Sequence, residues 1–182
     1  MAAIAAAAQQ PKPLKLPIDV PKEASVNFEA EGTGKSFIST IKQFLMANPV
    51  DPSGTATDKI PVKTPLGNFD MRVDDLAPLL DNVHSLHLVS YTALPNEDPF
   101  KHYEKEFTAD GLTKVTSTPG ANGVLIMRHS GKTDQFGIVT RQKENVLVLR
   151  TDGAPGLGDF GKVLFEALSH AIQQAVHNKQ HG

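Results

Sequence analysis

"GVLIMRHSGKTDQFGIVTRQKENVLVLRT", residues 123–151, holds three short runs of β-favouring apolar residues separated by "SGK" and "QKE". Connections of that length suit hairpins rather than crossovers. One more run, "LTKVTS" (112–117), stands before it across "TPGAN". Four strands joined this tightly in succession read as an antiparallel meander. Val124, Ile126, Val146 and Val148 are the expected core positions within it.

Upstream, "DPFKHYEKEFTADG" (98–111) reads as a helix with Asp98 as N-cap, Pro99 in the first turn and Gly111 past the end. Phe100, Tyr103 and Phe107 form its apolar stripe. "HSLHLVSYTA" (84–93) is a strand, preceded by a short helix carrying Leu76, Leu79 and Leu80. "SVNFEAE" (25–31) alternates apolar and polar residues like a half-buried strand. Phe37, Ile38, Ile41, Phe44 and Leu45 then share a helix face that ends at Asn48 and Pro49. Residues 49–68, rich in Pro, Gly, Thr and Asp, read as a long surface loop with a short hairpin near "IPVKTPLGNFDMRV". A closing helix from about Asp159 places Leu168, Ala171, Ile172 and Ala175 on one side, with Glu166, Ser169, Gln173 and His177 opposite. The expected fold class is α+β: a single domain over 25–178, with a largely antiparallel sheet, helices packed on one face, and a polar tail at 179–182.

A net charge of −2, with no basic block, lacks the electrostatic footprint of a nucleic-acid binder. No apolar run reaches the ~20 residues of a membrane span. The absence of cysteine excludes disulfides, thiolate metal sites and a cysteine nucleophile. "MAAIAAAAQQPKPLKLP" resembles the end of an export signal, with Ala6 and Ala8 in an A-x-A cleavage pattern and Gln9 as first mature residue. Residues 1–24 are therefore expected to be a signal remnant followed by a disordered Pro/Lys-rich linker.

Three phosphate or metal motifs are incomplete. Gly34, Lys35 and Ser36 end like a phosphate loop, but the first glycine of G-x-x-x-x-G-K-[ST] falls on Glu29, and Glu31 adds a second negative charge. "GLGDFG" (156–161) matches G-x-G-x-x-G, yet no strand follows its helix to hold a ribose. His102 to Glu104, "HYE", lacks the cysteine pair of the zinc deaminases. His84 and His87, three apart on a strand, point to opposite faces, and His170 and His177 stand about 10 Å apart along their helix. "HSG" (129–131) lacks the leading glycine of a nucleophile elbow. These residues assign no catalytic group, cofactor or metal.

The run "LAPLLDNVHSLHLVSYTA", then "HYEKEFTADGLTKV", the meander and a Gly-rich approach to a closing segment resembles an uncharacterised family of small exported bacterial α+β domains. The likeness extends from about Ser25 to Leu168. The resemblance implies export to the cell envelope and no established enzyme activity, and it carries over no catalytic residue. The expected function is thus a non-enzymatic exported module that binds a partner protein or small ligand through a sheet face or the groove beside it. Its polar strand residues His87, Tyr91, His129, Arg141 and Arg150 would form the binding surface. Beside it stand a nucleotide-binding enzyme using Lys35 and a hydrolase whose site is assembled from distant residues.

Overall fold

The structure is a computed structural model that describes residues 16–50, 57–64, 67–129, 134–153 and 158–181. Eight strands and four helices follow one another among these residues. They are β1 (Ser25–Gly32), α1 (Gly34–Ala47), β2 (Lys59–Thr64), β3 (Gly67–Arg72), a 3-10 helix (Val73–Leu80), β4 (Ser85–Thr92), α2 (Pro99–Ala109), β5 (Thr113–Thr118), β6 (Val124–His129), β7 (Gln135–Gln142), β8 (Asn145–Asp152) and α3 (Gly158–His181).

Six strands form one antiparallel sheet in the order β1-β4-β8-β7-β6-β5. The expected meander of the second half is present, and β4 and β1 extend it on the β8 side. A strand's side chains alternate between faces, so β4 and β8 each feed two separate cores. Leu86, Leu88, Leu147 and Leu149 join α1, α3, the 3-10 helix and the β2–β3 hairpin in the first cluster. Tyr91, Val146 and Val148 join Leu125, Met127, Val139 and the stripe of α2 in the second. The helices therefore lie on both faces, and not on the one face expected. The cause is topological: α2 must carry the chain from β4 to β5 at the far edge, and it crosses on the face that α1 and α3 leave open.

Local signals place α2 as the sequence implies. The Asp98 carboxylate accepts from the Lys101 N–H at 3.2 Å, Pro99 opens the helix, and Gly111 follows at φ +87°. Phe100, Tyr103 and Phe107 are buried, and burying side chains of that size contributes about 1.5–3 kcal/mol each. Gly137 on β7 lets Phe107 approach, because a Cβ there would stand 2.5 Å from the ring.

Four further expectations are corrected. The core side of β6 is Leu125 and Met127, while Val124 and Ile126 are only partly buried on the opposite face. Among the described residues that face is covered less than the α2 side, so apolar character alone points to the wrong side. The hairpin expected near "IPVKTPLGNFDMRV" is present as β2 and β3, but it does not lie on the surface: Ile60 and Val62 are fully buried against the first cluster. The linker expected to reach residue 24 is packed from Leu16 onward, with Leu16 buried and Ile18, Val20 and Ala24 set against the second cluster. The tail expected at 179–182 continues α3 as far as His181. Residues 1–15, including the A-x-A pattern, and 154–157, including the first two residues of the G-x-G-x-x-G match, lie outside the described residues.

Candidate functional site

All five residues expected to form a binding surface sit on one face of the sheet, the side covered by α2. Register gives this directly. His87 pairs with Arg150, Tyr91 with Val146 and Val146 with Arg141, while His129 pairs with Gln135 and Gln135 with Asp152. Sequence alternation thus finds a genuine face, but the face is occupied.

Tyr91 is fully buried and donates its hydroxyl to Glu97, and burial pushes its phenol far above the ordinary range. Arg150, 5% exposed, donates to Asp110 at 2.7 Å and to the Pro17 carbonyl at 3.1 Å, with its guanidinium over the Phe107 ring. His87, 7% exposed, donates from Nδ1 to the Leu16 carbonyl at 2.7 Å, and its Nε2 lies 2.8 Å from Glu29. The Arg141 guanidinium donates to the Lys143 and Glu97 carbonyls. His129, half-buried at the end of β6, stands beside Gly111. Three of the five therefore tie the interior together rather than face solvent.

Other expected groups fall into place on the same register. Lys35 is exposed in the first turn of α1, and Ser36 donates back to the Thr33 carbonyl at 2.9 Å. β1, which feeds that turn, is an antiparallel edge strand, unlike the doubly buried parallel strand behind a phosphate loop. His84, ahead of β4, is exposed whereas His87 is buried. Ser85, Asp152, Gln135 and His129 form one cross-strand row. At about 4.8 Å per strand, that row holds Ser85 some 14 Å from His129, beyond the reach of a relay. Ser130 and Gly131 of "HSG" lie outside the described residues. Among the described residues no three His, Asp or Glu side chains gather as a metal cage.

The open cavity is on the other face. α3 covers only part of the sheet, and the step between it and β6–β7 encloses ≈730 Å³, bordered by Val124, Thr140, Ala167, Ser169, His170 and Gln174. A second hollow of ≈350 Å³ continues it toward the β7–β8 turn, sharing Asn122, Gln142, His170 and Gln174 and adding Asn145 and Gln173. Together they form one groove along α3. Its apolar floor carries several amides, and Arg141, Lys143, Glu144 and Glu166 also line it.

One amide stands out energetically. Gln173 is 4% exposed, and neither its oxygen nor its nitrogen has a hydrogen-bond partner among the described residues. The Asn145 side-chain oxygen beside it is in the same condition. Burying an unpaired amide costs about 1–3 kcal/mol, so such a group is ordinarily retained for a reason other than stability. One turn earlier Ser169 is also buried, sharing a 2.7 Å hydrogen bond with Thr140.

Their polarity alone places Ser169 and Gln173 on a solvated face in the sequence. The overlooked signal is Val176, which is buried and at 3.6 residues per turn projects between Ile172 and Ser169. It carries the inward arc up to Ser169, with Gln173 next beyond.

No protein-family model matches the chain, and no curated protein matches it. Among the described residues no helix is long and apolar enough to cross a membrane.

Proposed function

We propose that the chain is a non-enzymatic binding module, working outside the cytoplasm, which takes a small uncharged polar ligand in the groove along α3. The observation that carries this reading is Gln173, a buried amide on the border of that groove whose donor and acceptor have no partner among the described residues. Amides offer donor and acceptor side by side, matching neutral ligands that carry the same pair. The apolar floor of Val124 and Ala167 suits a ligand with an aliphatic part.

The test is a thermal-shift panel of uncharged sugars, nucleosides and short capped peptides at millimolar concentration. A ligand held by Gln173 raises the melting temperature of the wild type through linkage and leaves Gln173→Leu unmoved. A panel in which every shift is equal in the two proteins overturns the site.

The location rests on the alanine run with its A-x-A pattern and on the resemblance to small exported domains. Mass spectrometry of the natural protein is expected to find Gln9 as the N-terminal residue in the extracytoplasmic fraction. An intact Met1 or Ala2 in the cytoplasm contradicts it.

A further inference from the structure

The stretch that crosses the α2-side face is held in an unusual manner. Residues 16–20 make no ladder with any strand. Side chains from three elements clasp their main chain instead. His87 of β4 donates to the Leu16 carbonyl at 2.7 Å, and Arg150 of β8 donates to the Pro17 carbonyl at 3.1 Å. From α2, His102 and Tyr103 donate to the Asp19 carbonyl at 3.0 and 3.3 Å, and Glu106 accepts from the Asp19 N–H at 3.4 Å. Leu16, Ile18 and Val20 descend onto the apolar surface at the two-residue period of an extended chain.

The groove thus reads an extended backbone with aliphatic residues at alternate positions. Hydrogen bonds to main-chain carbonyls give affinity without regard to sequence, and pockets for alternate side chains select the pattern; extended peptides are commonly recognised on this division of labour. The strap can also leave without breaking a ladder bond of β1 or β4. A turn closed by the Ala24 N–H on the Pro21 carbonyl at 2.8 Å separates it from β1, and all ladder bonds of β1 and β4 lie beyond that turn.

We propose that this groove is a peptide-binding site whose resident occupant is residues 16–20, and that its ligand in trans is an extended, aliphatic-alternating segment of a partner protein. A second copy of the chain is disfavoured as the source. Its strap would replace an identical one already present at high effective concentration, and would bring no interaction that the resident strap lacks. Only a segment of better fit shifts the equilibrium.

The experiment uses the full chain with Leu16→Asp and Ile18→Asp, which loosen the resident strap, and a labelled capped peptide of residues 14–22, LKLPIDVPK. Fluorescence anisotropy is expected to show binding to this variant at least about tenfold tighter than to the wild type, where the tethered strap competes. Adding His102→Ala to the loosened variant should weaken binding again, and a peptide with Asp at the three alternate aliphatic positions should not bind. Equal affinity for loosened and wild-type protein, with circular dichroism showing both folded, overturns the proposal. Hydrogen exchange on the wild type decides the matter if the loosened variant fails to fold: strap amides must exchange far faster than those of β8, and equal protection makes the strap ordinary core. A concentration-dependent wild-type dimer in sedimentation would overturn the assignment to a foreign partner.

Discussion

Glu106 illustrates how a single carboxyl can set the grip on the N-terminal strap. One oxygen accepts from the Asp19 N–H, and the other lies 3.7 Å from His102 Nε2 with no hydrogen bond of its own among the described residues. Burial pushes this carboxyl above its ordinary value, against a partial offset from the Asp19 N–H and the charges of His102 and Arg150. A carboxyl raised in the folded state is favoured in its protonated form there. Its stabilising contribution is complete below the ordinary carboxylate range and is lost as pH rises through the raised value. The folded state should therefore gain stability from this group on going from about pH 7 to about pH 5. Glu106→Gln retains an oxygen for the Asp19 N–H and removes the charge. Urea titrations at the two pH values are expected to show a smaller pH dependence in the variant than in the wild type, and identical dependences would show that Glu106 is already well solvated.

At the scale of the elements, β6 gives the sharpest test of how the faces are assigned. Met127 is buried in the second cluster beneath α2, whereas Ile126, one residue away, lies on the side that α3 leaves uncovered. Met127→Asp buries an unpaired charge and should cost several kcal/mol, of order 3–5, enough to unfold a marginally stable domain. Ile126→Asp should stay folded with a loss of about 1–2 kcal/mol. Denaturant midpoints in the reverse order would mean that the two faces are exchanged. The contrast also marks what the sequence can convey. Helix α2 is legible from end to end because its cap, its proline and its following glycine act within a few residues of one another. The meander is legible because its turns are short. Which face of β6 is core depends on α2, and α2 reaches that face only through the crossover from β4 to β5. Likewise β2 is buried through contact with α3, about a hundred residues later in the chain. The polar strand residues do share a face, as alternation implies, yet the strap that covers them is drawn from a segment whose composition looks like linker.

The whole molecule is a six-stranded sheet covered unequally on its two faces. On the α2 side, α2 covers much of the sheet and the strap adds to that cover. On the other side α1, α3 and the β2–β3 hairpin cover the β1–β4–β8 half, and the groove marks where that cover ends. The uncovered margin is where a ligand can meet both sheet and helix. The account turns on Gln173 being kept in that margin for a ligand and not for the fold. Equilibrium urea unfolding of the wild type and Gln173→Leu, without any added ligand, measures this directly. Replacing an unpartnered buried amide by an apolar side chain of similar size should stabilise the protein by about 1–2 kcal/mol, seen as a higher midpoint at unchanged slope. A loss of about 1 kcal/mol or more in the variant would show that the amide is satisfied within the fold, and would contradict the assignment of the α3 groove as the binding site.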